Sequence, residues 1–355
     1  MKKRTQIIII VGIFLLVLTF FTNYRPPNKS LLNPNETPLS DVRMLTAQCT
    51  LSTTSPFKEK VFGLSVLPPY SPEYYDLVSD LGVKWVRADF QWSRIERADG
   101  TYDWRETDEF VTEMYKRKIN VAGIINYIPW HFTTWKETQE HLTKFSEAIT
   151  ERYKRDGILA KEMGWKDYGI SHWEIFNEPN LPGYGWLSPE SDPRGYIAEY
   201  AALLAIANRG IHTKDPGAII VLAGLSPDGM PYTEFLKEFY NLETRKCFDV
   251  LAFHPYGRSE RFAETADELR TLMTKAGDTN KGVWFNEFGT TEEKYRETYV
   301  TQMFDGQKHV EGFFWFAVRD LKPFTENFGL VTYDFTKKPA YNTFRELMRL
   351  YNVSQ

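Results

Sequence analysis

Eight short runs rich in β-branched and aromatic residues recur between positions 61 and 317, with longer stretches of helical spacing between them. The runs occupy 61–66, 83–89, 120–125, 172–177, 218–224, 248–254, 282–287 and 312–317. Intervening stretches such as "SPEYYDLVSDLG", "ETDEFVTEMYKRK", "GYIAEYAALLAIANRG" and "ADELRTLMTKAG" repeat apolar residues at three- and four-residue spacing. Several close on Gly or a basic residue, the pattern of helices that bury one face. Eight strand–helix units predict a parallel sheet with helices outside, closed into a (β/α)8 TIM barrel. Strands buried on both faces read as nearly continuous apolar runs, as these do. A doubly wound open sheet is the alternative, but it would carry a Gly-rich phosphate turn after an early strand, and "GLSVLPPYSP" is not one.

The barrel accounts for residues 61–355. Before it, "MKKR" precedes an apolar run from Ile7 to Phe21, the order of a signal peptide or signal anchor over 1–24. A full span takes ~20 apolar residues, and Thr22 to Tyr24 bring the run close to that. No small-x-small cleavage site follows, so an uncleaved anchor through residues 7–24 is expected. The rest of the chain is then extracytoplasmic, either at the cell surface or secreted. Residues 25–60 are rich in Pro, Asn, Ser and Thr and are expected to be an extended linker. Cys49 lies in this linker and Cys247 in the barrel; two cysteines outside the cytoplasm can pair or stay as separate thiols, and spacing does not choose.

A net charge of -4 without a basic block argues against a nucleic-acid partner. Aromatic residues make up 15% of the chain. They serve a packed core, or a cleft whose flat rings stack on the C–H faces of sugars. No Cys/His cluster has zinc-ligand spacing, and no metal or cofactor is called for. The oligomeric state is not legible.

In a TIM barrel the chemistry sits where the strands end. The fourth and seventh runs, "HWEIFNEP" and "GVWFNEFG", each pass straight into a glutamate preceded by Asn: Glu178 and Glu287. Paired carboxylates at one mouth are what glycosidic hydrolysis needs, one protonated to release the leaving oxygen and one ionised to attack. Two neighbouring acids also drive their pKa values apart.

"WEIFNEPN" with the later "WFNEFG" resembles clan A of the retaining glycoside hydrolases. The stretch "WVRADFQWSRIERADGTYDW" is most similar to family 39 and the related glycosidases of exopolysaccharide operons, with family 5 the near alternative. The resemblance spans roughly 61–352. It implies Glu178 as acid/base and Glu287 as nucleophile, acting by double displacement on a β-linked carbohydrate, without metal or cofactor. It implies Asn177 on the sugar 2-hydroxyl, Arg87 beside the nucleophile, and His254 and Tyr256 orienting the nucleophile or touching substrate. Trp315, at the end of the eighth run, falls where the clan has a sugar platform. For Arg87 the competing reading is a structural salt bridge, and for His254 a satisfied core histidine.

Tyr127, Trp130, Tyr184, Trp186 and Phe328 fall in loops after the third, fourth and eighth runs and are candidate subsites as a set. Trp92 and Trp104 are expected to pack down the loop after the second run. Glu174, four residues before Glu178, would sit ~13 Å deeper along an extended strand. It is read as a buried structural acid paired with a basic group, too deep to share a substrate with the strand tops. A carbohydrate-binding pseudoenzyme and a transglycosylase are the other readings of the same barrel. Sugar, linkage and endo or exo action are not legible.

Overall fold

The computed structural model describes residues 39–55, 60–181, 193–321 and 327–354. Eight parallel strands close into one barrel in sequence order. They are β1 (Val61–Val66), β2 (Trp85–Gln91), β3 (Asn120–Asn126), β4 (His172–Ile175), β5 (Ile219–Leu222), β6 (Val250–Phe253), β7 (Gly282–Phe288) and β8 (Gly312–Trp315). All eight match expected runs, and a helix follows each. Ser71 starts the first of these helices, Pro72–Asp80, by accepting from the Tyr74 N–H. Thr134 and Glu137 form a reciprocal capping box at the start of Trp135–Tyr153.

Period-two alternation sorts the side chains. Val61, Trp85, Ala122, Ile219, Val221, Val250, Ala252, Trp284 and Phe314 fill the barrel interior as one apolar cluster. His172 closes its floor, with Trp284 stacked on it at 5.5 Å and Trp85 edge-on at 5.0 Å. Burial holds this imidazole at about 4, hence neutral. The opposite faces of the same strands pack against the helices, so each strand is apolar on both sides.

Trp92 and Trp104 behave as expected. Both stack on Phe145, at 5.5 and 6.1 Å, and hold the loop after β2 against the helix Trp135–Tyr153.

Residues 25–60 are not all extended linker. Leu39–Thr46 is a helix packed on the helix Pro193–Lys214, with Val42 fully buried. Its apolar residues were too few to announce a period in a short segment crowded with polar residues. A disulfide joins Cys49 to Cys247. Asn208 holds the intervening backbone by accepting from the Thr50 N–H and donating to the Thr50 and Cys247 carbonyls. The apolar run 7–21 lies outside the described residues. Among the described residues no helix is long and apolar enough to cross a membrane.

Candidate active site

β4 stops at Ile175, and Phe176 and Glu178 both take left-handed backbone angles, φ 63° and 46°. The chain therefore turns over the barrel mouth instead of running straight on. The Glu178 N–H donates to the Gly224 carbonyl just beyond β5, at 3.1 Å. Two residues later Asn180, fully buried, stitches this turn to the loop after β5. Its amide donates to the carbonyls of Ser226, Asp228 and Met230, while its Oδ1 accepts from the Ser226 N–H. Asn180 was not singled out in the sequence, although the residue after Asn-Glu-Pro is a signal that could have found it.

β7 carries Glu287 to the same mouth. Arg87, on the inner face of β2, reaches it with Nη1 at 2.6 Å. The same guanidinium grips Glu174 through Nε at 2.6 Å and Nη2 at 2.9 Å, and donates to Asn177 Oδ1 at 2.8 Å. Arg87 is thus the salt bridge and the neighbour of Glu287 at once. The Tyr256 hydroxyl donates to Glu287 Oε2 at 3.1 Å. His254 stands between the two acids, with Nδ1 2.8 Å from Glu178 Oε1 and 3.7 Å from Glu287 Oε2.

Glu174 needs a correction. It is buried and paired with a cation, as expected, but it is not remote from the strand tops. The ~13 Å estimate assumed an extended chain to Glu178, and the two left-handed residues remove that extension. Glu174 Oε1 also accepts from the Gly224 N–H and the Asn286 amide, both at 2.9 Å. It is the foundation that fixes Arg87, and through Arg87 the carboxylate of Glu287.

The two acids are driven in opposite directions. Burial pushes the Glu178 carboxyl up, and the hydrogen bond from His254 only partly offsets it. Burial also works on Glu287, but the charges of His254 and Arg87, with the hydrogen bonds from Arg87 and Tyr256, outweigh it and lower that carboxyl. His254 is itself raised: burial pulls it down, while the Glu287 charge and the Glu178 bond more than compensate. Tyr256 is pushed well above its ordinary value, chiefly by burial, and remains a neutral donor. Glu178 is thus biased towards its protonated form and Glu287 towards its ionised form, the division of labour that acid-assisted displacement requires.

Both glutamates face a cavity of about 520 Å³ that is also lined by Arg87, Asn177 and Tyr256, a size that suits a small-molecule site. Trp315 is not on its wall. It is fully buried on the outer face of β8, packed edge-on against Phe288 at 6.0 Å. Alternation gives the inward positions to Phe314 and Phe316, and Phe316 lines the cavity instead. Tyr127 and Phe328 also line it, whereas Trp130 is 67% exposed and stands off the wall. Tyr184 and Trp186 lie outside the described residues. Asp89, two residues beyond Arg87 on the same strand face, lines the cavity and had not been singled out. Burial raises it to about 6 against the pull of Arg87. Among the described residues no group of three or more His, Cys, Asp or Glu is placed to hold a metal ion.

A family model described as "Glycosyl hydrolase catalytic core" matches residues 93–340, more than two thirds of the chain. Solved structures of similar fold include a glucosidase from Croceicoccus marinus, at 17% identity and a TM-score of 0.64, covering 84% of this chain and 69% of that one. A family 39 glycoside hydrolase from Bacteroides cellulosilyticus WH2 aligns at 17% identity and 0.63, covering 85% of this chain and 66% of that one. GH5_18 from Streptomyces cattleya, solved in complex with GlcNAc, aligns at 16% and 0.61, covering 84% and 81%. The chain thus spans about two thirds of the length of the first two, and at these identities the likeness is one of fold. No curated protein matches the sequence.

Proposed function

The chain belongs to the glycosyl hydrolase catalytic-core family and is a glycoside hydrolase; we propose that it is a retaining β-glycosidase working through Glu178 and Glu287. The observation that carries this reading is the shared histidine. With His254 Nδ1 at 2.8 Å from one carboxylate oxygen and 3.7 Å from the other, those oxygens cannot stand farther apart than the two distances laid end to end. That limit is the lower edge of the ~6.5–9.5 Å that an inverting pair needs to seat a water, and is compatible with the ~5–5.5 Å of a retaining pair.

In the first step Glu287, ionised and aimed by Arg87 and Tyr256, attacks the anomeric carbon. Glu178 gives its proton to the departing oxygen as the glycosidic bond breaks. In the second step Glu178, now a carboxylate, takes a proton from water, which opens the ester to Glu287 and restores both acids. Asn177, fixed by Arg87, offers its amide to the 2-hydroxyl, a contact that tightens as charge builds on the ring. Phe316, Tyr127 and Phe328 supply apolar faces for sugar rings. The substrate class is a β-linked oligo- or polysaccharide, in line with the family 39, glucosidase and GlcNAc-bound relatives of the fold.

The barrel is also proposed to work outside the cytoplasm, tethered through residues 7–24. The Cys49–Cys247 disulfide supports an oxidising compartment.

The deciding experiment is proton NMR of the anomeric signal during the first minutes of hydrolysis, on a panel of aryl β-glycosides and bacterial polysaccharides. Retention predicts the β-anomer first from a β-linked substrate. An α-anomer appearing first would remove Glu287 from the role of nucleophile.

A further inference from the structure

The inner face of β2 carries three polar side chains in a row, Arg87, Asp89 and Gln91, at positions that period-two alternation points the same way. Arg87 belongs to the acid pair and Asp89 to the wall of the main cavity. Gln91 lies beyond both, in a second cavity of about 300 Å³. This annex adjoins the catalytic cleft: Pro68, Asp89, Arg94 and Glu106 line both. Its far wall is Tyr70, stacked at 4.7 Å on Phe110.

Two buried polar atoms in this annex are unsatisfied. Gln91 is only 6% exposed, and its amide nitrogen has no hydrogen-bond partner; the Tyr70 hydroxyl has none either. A buried donor without a partner costs about 1–3 kcal/mol, and native folds keep few of them. The other charged groups of the annex are engaged with one another. Asp103 is paired with Arg97 and Arg105, and Arg94 with Glu106. What remains to meet a ligand is an amide, a phenol and Asp89, whose side-chain hydrogen bond from Asn126 is long, at 3.4 Å. That set suits a neutral group able both to accept and to donate, not an anion.

We propose that this annex is a subsite for a neutral, hydroxyl-bearing monosaccharide carried as a branch on the substrate, held by Gln91, Tyr70 and Asp89. The proposal rests on the glycosidase reading above and adds to it that the preferred glycan is branched. A sugar hydroxyl accepts from the Gln91 N–H while donating to Asp89 or Tyr70, and the Tyr70 ring gives the branch an apolar face. The cleft then positions the scissile unit while the annex selects chains bearing the side sugar.

The test compares kcat/KM on an aryl β-glycoside, on linear cello- and β-1,4-manno-oligosaccharides, and on their branched counterparts, xyloglucan and galactomannan oligosaccharides. At least one branched member should exceed its linear backbone by tenfold or more. Tyr70→Phe removes only an unpartnered hydroxyl, so folding is not at stake, and Gln91→Met keeps the volume. Each should lower kcat/KM on the preferred branched substrate by about three- to tenfold more than on the aryl glycoside, mostly through KM. Equal losses on both, or no branched substrate exceeding its backbone, would overturn the annex while leaving the glycosidase reading intact. Absence of turnover on every substrate, aryl glycosides included, would instead defeat that reading itself.

Discussion

Glu178 and Glu287 share a histidine, the first buried and the second largely so, yet their surroundings push them in opposite directions. Only Glu287 has a guanidinium and a phenol donating to it, so its charge is neutralised where it stands. Among the described residues Glu178 has His254 as its side-chain hydrogen-bond partner, and desolvation wins. The sign of each pH limb follows. In the proposed mechanism attack needs Glu287 ionised, so activity is expected to fall as pH drops through its lowered pKa. Protonation of the leaving group needs Glu178 neutral, so activity falls as pH rises through its raised pKa. Glu178→Gln should abolish the alkaline limb of kcat/KM, and cost about 10²–10⁴-fold on substrates with poor leaving groups. Activated aryl glycosides, which need little protonation, should lose far less. A variant that keeps the alkaline limb, or loses equally on both substrate classes, would show that another group gives the proton. The two glutamates could be singled out because chemistry needs acids at strand ends. Arg87 beside Glu287 and a basic partner for Glu174 were expected too; that one guanidinium serves Glu174, Asn177 and Glu287 at once was not legible, because it is a fact of three dimensions.

Element by element, the strand runs could be read because burial on both faces leaves an apolar signature; their last residues could not. β4 was expected to reach 177 and ends at Ile175, and those two residues changed the depth assigned to Glu174. The reason is backbone geometry at Phe176 and Glu178 that neither residue type advertises, since both normally avoid positive φ. β8 shows a different limit: it ends at Trp315 as expected, but alternation turns Trp315 outward and gives the cavity wall to Phe316. The turn over the mouth also demands empty space at Gly224. A Cβ there would lie 2.1 Å from His254 Nε2 and 2.6 Å from Asn286 Oδ1. Gly224→Ala must therefore displace the histidine between the two acids and the amide that holds Glu174. The expected outcome is a folded protein, less stable by about 1–3 kcal/mol, with kcat reduced about 10²-fold, the cost of misplacing a reacting group by ~1 Å. Circular dichroism together with kinetics on an aryl glycoside checks it. Near-native kcat would mean that His254 has room to move without consequence for the acids.

At the scale of the whole molecule, chemistry and stability occupy opposite ends of the barrel. The acids sit where strands finish. The segment before β1 instead binds near where β5 and β6 begin: Ser52 N–H donates to Asp249 at 2.9 Å, and Thr53 N–H to the Pro216 carbonyl at 2.9 Å. Thr46 adds a bond to the Leu242 carbonyl at 2.7 Å, and the disulfide closes a loop across a sequence separation of 198. Chain-entropy reasoning assigns so long a loop about 5 kcal/mol, and measured disulfides more often give about 2–4. The hydrogen bonds along 46–53 survive loss of the covalent link and hold part of the segment in place, which argues for the lower figure. The double variant Cys49→Ala with Cys247→Ala should then melt about 5–10 °C below the native protein. It should keep native kcat and KM at 25 °C, because the hydrogen bonds of Glu178 and Glu287 do not involve residues 39–55. Reductant added to the native fold should have little effect, since Cys49 is 3% exposed and Cys247 fully buried. Calorimetry and kinetics on the same samples read both halves of the expectation. An unchanged melting temperature would mean that the disulfide adds nothing beyond the hydrogen bonds that hold the segment. Activity lost at 25 °C in a variant that is still folded would mean that the two ends of the barrel are coupled, and that the staple supports the acids as well as the chain.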